Sequence, residues 1–143
     1  MIEAKVENLG VDPNNGNVIV LLRAETGALL PIWIGPIEAQ HIAVALGGDK
    51  SPRPLTPDLM LSVLELVGAK LLRVEIVELR EGTFYAQLVI NYQNMDYELD
   101  SRSSDAISLA LRAAVPIMVA EDVLEKGSVA ENQGQSNSGI PQA

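Results

Sequence analysis

From residue 100 to 105 the chain reads Asp-Ser-Arg-Ser-Ser-Asp, with two carboxylates, a guanidinium and three hydroxyls between a strand-like segment and an apolar helical one. A strand-to-helix turn presents side chains and helix N-terminal amides to one region of space, so it can hold a metal, a phosphate or a water. Asp100 and Asp105 could bind Mg²⁺ or Mn²⁺ through oxygen, and such an ion could activate water and stabilise a leaving oxygen. Arg102 between them can neutralise the pair, giving a salt-bridged cap, or clamp a phosphate with its planar fork of donors. The spacing alone leaves both readings open.

Other acids stand at predicted helix starts: Glu38, Asp58, Glu121 and Asp122 each fall in a first turn, where compensation of the helix dipole is reason enough for a carboxylate. His41 is the only histidine and so the only conventional general base near neutral pH. Helical projection places it in an apolar stripe between Ile37 and Ala45, which predicts a hydrogen-bonded core or interface histidine. Lys50 and Arg53 form the one local basic cluster, in a proline-braced loop fit to meet a phosphate or an acidic partner. Trp33 reads as a core residue. The serines lack a Gly-x-Ser-x-Gly elbow, and there is no Walker loop, dinucleotide fingerprint or metal-binding histidine pair.

These residues must be carried by a scaffold. Apolar residues make up 48% of the 143 and aromatics only 3%, so aliphatic side chains build the core of what reads as one domain. No cysteine is present, which removes disulfides, zinc–thiolate sites and thiol nucleophiles. The first residues lack a signal-peptide pattern and no apolar run reaches membrane-spanning length, so the expected location is cytoplasmic. A formal charge of −9 argues against a module that coats nucleic acid. It still allows an enzyme whose carboxylates recruit cations.

Strands are predicted at 2–9, 18–22 and 29–34, punctuated by Asp12-Pro13-Asn14-Asn15-Gly16 and Glu25-Thr26-Gly27. Val18 to Leu22 is continuously apolar, as in a strand covered on both faces. A helix from Pro36 to about Leu46 shows little polar surface and is expected to be buried. Thr56-Pro57-Asp58 starts a second helix, with Thr56 as its cap, running to Val67. Strands at 69–79, 83–92 and 96–99 form a second meander that feeds a helix at 104–114. A short strand at 115–120 and a helical turn or two at 121–126 complete the domain, 1–126, and the polar tail 127–143 is expected to be disordered. The fold class is thus α+β, with two three-strand meanders in a mixed, mostly antiparallel sheet packed with three to four helices.

Three strings in register add to this reading. Leu30-Pro31-Ile32-Trp33-Ile34-Gly35-Pro36-Ile37-Glu38-Ala39, Arg53-Pro54-Leu55-Thr56-Pro57-Asp58-Leu59 and Asp100 through Arg112 together resemble the bifunctional nuclease domain family, over roughly residues 1 to 126. Ser103 stands where the family's Asp-x-Arg-Pro-Ser-Asp pattern has proline, which loosens the turn and retains both carboxylates, the arginine and Ser104. The resemblance implies metal-assisted cleavage of DNA and RNA on an α+β fold. Matching motif positions makes Glu38, Asp100, Arg102 and Asp105 the catalytic set and Asp100, Asp105 and Glu38 the ligands of Mg²⁺ or Mn²⁺. Arg53 and Ser104 become substrate contacts. Two alternatives stand beside it: a non-catalytic binding module that forms homo-oligomers, and a small-phosphoester hydrolase, which suits the acidic charge better than a nuclease does.

Overall fold

A computed structural model describes residues 1–47 and 51–129. Its elements in chain order are β1 (Ile2–Val11), β2 (Val18–Ala24), β3 (Leu29–Ile34), α1 (Pro36–Gly47), α2 (Thr56–Leu66), β4 (Lys70–Arg80), β5 (Thr83–Tyr92), β6 (Met95–Arg102), α3 (Ser103–Ala113), β7 (Ile117–Val119) and α4 (Glu121–Gly127). The strands form one seven-stranded sheet in the order β3-β2-β1-β7-β4-β5-β6. Two antiparallel meanders are therefore joined by a three-residue strand, β7, which runs antiparallel to β1 and parallel to β4. The chain is α+β, as its sequence predicts.

Alternation along the strands decides where the core sits, because successive side chains leave opposite faces of a sheet. Val20, Leu22, Val74, Ile76, Ala86 and Leu88 share one cluster with Ile42 of α1, Ile107 and Leu109 of α3, and Val123 of α4. Ile107 is fully buried at its centre, where truncation to alanine is expected to cost about 2–5 kcal/mol. The four consecutive residues Ile19 to Leu22 are all buried, as the unbroken apolar run of β2 implies.

Four features of functional interest differ from the sequence reading, each for a local reason. Strand β6 runs on through Asp100, Ser101 and Arg102, because β5 is long enough to pair them with Gln87, Ala86 and Tyr85. The polar hexad is thus half strand and half helix rather than a free turn. Helix α1 buries only Ala39 and Ile42 and leaves Ile37 and Leu46 exposed, since it packs chiefly against α3 and β2. The N-cap of α2 is Leu55, not Thr56, and its N–H donates to the Asp58 carboxylate (2.9 Å), the reach-back half of a capping box. Gly127 closes α4 and the Val129 N–H donates to the Leu29 carbonyl (2.8 Å), so folded chain continues past 126. The expectation for the rest of the tail, and that for Lys50, fall outside the described residues.

Candidate active site

Helix α3 begins where β6 ends, and Arg102 holds the N-cap position with extended backbone and no side-chain cap bond. Its guanidinium is free to turn outward. Nε donates to Asp105 Oδ2 (2.9 Å), in the first turn of α3, and Nη1 donates to Glu38 Oε2 (3.2 Å), in the first turn of α1. Asp105 first, and Glu38 after it, hold this arginine above its ordinary pKa. The arginine stays charged throughout.

The Glu38 position depends on a glycine. A Cβ built on Gly35 would overlap Glu38 Oε1, so the carboxylate can fold back over the start of α1 in this position because residue 35 has no side chain. One oxygen therefore lies over Gly35 and the other meets Arg102. The Glu38 side chain is 22% exposed, whereas that of Arg102 is 65% exposed.

This ion pair stands between two concavities. On one side is a cavity of about 280 Å³ bounded by Trp33, Gly35, Gly82, Thr83, Ser103 and Ser104. On the other a groove of about 800 Å³ runs between α1, α2 and β6, lined by Ile37, His41, Met60, Leu64, Leu99 and Leu109. Glu38 and Arg102 border both. A ligand on either side meets the same carboxylate and the same guanidinium.

The structure thus brings Glu38, Arg102, Asp105 and Ser104 to one place and leaves Asp100 and Arg53 out of it. Asp100 borders the groove from the β6 edge, but it pairs in register with Gln87. The pleat sends its side chain to the sheet face where Gln87 donates to Glu75 (2.7 Å) and Glu98 (3.0 Å), while its neighbours Leu99 and Ser101 pair with core-facing Leu88 and Ala86. Its carboxylate has no hydrogen bond or ion pair among the described residues. Arg53 is exposed in the segment before α2.

A divalent ion needs several oxygen ligands on one centre. Among the described residues no three carboxylate or imidazole groups come together in that way, and Glu38 and Asp105 both already serve one guanidinium. The ligand trio expected from the sequence therefore does not match the arrangement found.

Three residues acquire roles that their sequence positions did not announce. Gly35 is a steric requirement for Glu38. His41 is half-exposed on the groove wall one turn after Glu38 and makes no side-chain hydrogen bond among the described residues, so of the two settings expected for it, core or interface, the core is not the one found. Arg112, in the last turn of α3, is only 8% exposed and donates to Asp58 Oδ1 (2.9 Å) and to the Ser108 hydroxyl (2.7 Å). Burial raises the Asp58 carboxyl, but the Leu55 N–H and the Arg112 guanidinium outweigh it and hold the group below the usual carboxylate range. A lone arginine late in an apolar helix was the available signal.

Comparison with known proteins now bears on the same residues. The bifunctional nuclease domain matches residues 20–132, a span that includes Glu38, Asp58 and the whole of α3. Two uncharacterised proteins of Mycobacterium tuberculosis, from strains CDC 1551 / Oshkosh and ATCC 25618 / H37Rv, are 41% identical over 130 residues, which covers 90% of this chain and 77% of theirs. Bifunctional nuclease 1 of Oryza sativa subsp. japonica is 30% identical over 105 residues, 70% of this chain and 32% of that protein. The chain belongs to the bifunctional nuclease domain family.

Proposed function

We propose that this protein is a phosphodiesterase of nuclease type whose reaction centre is the Glu38–Arg102–Asp105 cluster. The observation that carries the reading is the position of that cluster, an exposed arginine held by two carboxylates between two concavities, in a family that includes proteins named as nucleases. Arg102 takes a phosphate oxygen with the N–H groups that Asp105 and Glu38 leave unused. The Glu38 carboxylate accepts a proton from water as the water oxygen bonds to phosphorus. The P–O ester bond breaks, and His41, on the same groove wall, gives a proton to the leaving oxygen. Ser104 and Arg53 are substrate contacts in this scheme, and the substrate is DNA or RNA handled in the cytoplasm. Dependence on Mg²⁺ or Mn²⁺ is read from the chelator arm of the assay.

The test uses one purification route for wild type and Glu38→Gln, each assayed on single-stranded DNA, RNA and a small phosphodiester with Mg²⁺, Mn²⁺ or chelator. Wild type should cleave, and Glu38→Gln should be slower by roughly 10²–10⁴-fold, the usual worth of a general base. Equal cleavage by the two samples would point to a contaminant and defeat the assignment. Cleavage of the small ester alone would move the protein to the phosphoester hydrolases.

A second reading rests on α2 and its C-cap, where Leu59, Met60, Val63, Leu66 and Val67 are all exposed. Apolar surface gathered on one helix marks an interaction site, so we propose that α2 mediates homo-oligomerisation. Val63→Glu should lower the mass seen by light scattering; an unchanged mass would rule α2 out.

A further inference from the structure

The smaller cavity holds several polar groups with nothing to bind. Ser103 and Ser104 are only 8% and 7% exposed, and neither hydroxyl has a hydrogen-bond partner in the described structure. The indole N–H of Trp33 is buried without an acceptor among the described residues. The first amides of α3 have no intrahelical acceptor by geometry, and the N-cap residue Arg102 supplies none. Both hydroxyls stay open to the cavity, and together with the helix amides they can donate to a guest. Their complement is an acceptor-rich group.

We infer that this cavity seats one phosphodiester group of the substrate, cradled by the Ser103 and Ser104 hydroxyls, the start of α3 and Arg102. The inference rests on the phosphodiesterase reading and specifies which phosphate-bearing group that site takes. Charge selects among phosphates. The guanidinium and the partial positive charges at the starts of α1 and α3, about half a charge each, roughly balance Glu38 and Asp105. A monoanionic internal phosphodiester adds one negative charge to that balance, whereas inorganic phosphate or a terminal monoester adds nearly two, with Glu38 facing it. The site therefore favours an internal linkage over a chain end.

Trp33 is the single tryptophan and lines the cavity, so its fluorescence reports occupancy without any need for turnover. Wild type, Ser103→Ala, Ser104→Ala and the α4 surface variant Glu125→Gln are titrated with thymidylyl-thymidine, thymidine 5′-monophosphate and inorganic phosphate, and thermal melts are recorded alongside. The dinucleotide should change Trp33 emission in wild type and Glu125→Gln, and bind at least about tenfold more weakly to Ser104→Ala, since bonds to charged groups are the strong ones. The monoester and inorganic phosphate should bind more weakly than the dinucleotide. No response to any probe up to millimolar concentration, or equal binding by both serine variants and wild type, would overturn the inference and leave a cavity that holds water only. If Ser104→Ala does not fold, Ser103→Ala and the wild-type ranking of the three probes decide. Dinucleotide binding without cleavage would keep the cavity and sink the nuclease reading; cleavage with a silent Trp33 would do the reverse.

Discussion

Two arginines frame α3 and make the same kind of contact with opposite consequences. Arg102 at its N-cap reaches Glu38 in the first turn of α1, and Arg112 in its last turn reaches Asp58 in the first turn of α2. Each ties α3 to a neighbouring helix through an acid that the helix dipole already favours. Arg112 is 8% exposed, while Arg102 is 65% exposed and borders two concavities. A buried guanidinium cannot exchange its partner without stranding a charge, so it serves as scaffold. An exposed one adds little to stability and can trade a carboxylate for a ligand.

The largest effect expected from this contrast is on stability. Arg112→Ala should lose about 3 kcal/mol in urea denaturation, the lower end for breaking a buried pair, because the Asp58 side chain is 40% exposed. A loss below about 1 kcal/mol would erase the distinction between the two arginines.

Gly35→Ala comes next and sharpens the other arm. The added methyl must displace Glu38 Oε1, so activity should fall about tenfold or more, as a misplaced group costs, while the melting temperature moves by only a few degrees. Wild-type activity in a folded Gly35→Ala protein would show that the Glu38 position is not required.

A smaller effect lies in acid. Because Asp58 is held below the usual carboxylate range when folded, it adds stability above about pH 4, its ordinary unfolded value, and that contribution is lost as pH falls through the folded value. Solvent screening keeps it under about 1 kcal/mol. Asp58→Asn should flatten the acid limb of stability against pH, and an unaltered limb would contradict the assignment.

The smallest effect is assigned to Asp100. Its carboxylate has no partner among the described residues and the pleat turns it away from Asp105, so Asp100→Asn should leave stability within about 0.5 kcal/mol, as for most surface substitutions. Loss of activity in that variant would bring Asp100 back into the site.

Much of this was readable in the chain, and the reasons are local. Strands 29–34 and 83–92 fall where apolar runs are bounded by Gly and Asx turns, and those signals act within a few residues. Nearly every position on β6 is exposed, so no alternation marks this edge strand past Leu99. The apolar residues of α1 surround its axis, and only packing decides which side is covered. At the site, the helix start at Gly35-Pro36 and the hexad were visible as motifs, but their meeting across 64 positions is a property of the fold. The five-residue spacing of Asp100 and Asp105 suggested a pair, and the continuation of β6 separates them. Nothing in a one-dimensional pattern shows that Gly35 makes room for a carboxylate, or that Arg112 is the buried counterpart of Arg102.

The most direct test puts cleavage rate and thermal stability on the same samples of wild type and Arg102→Ala. Arg102→Ala should keep its melting temperature within a few degrees of wild type and lose on the order of 10²–10³-fold in rate, as when a charge-stabilising donor is removed. A variant that melts far earlier yet cleaves normally would make Arg102 a structural clasp like Arg112, and would contradict the site.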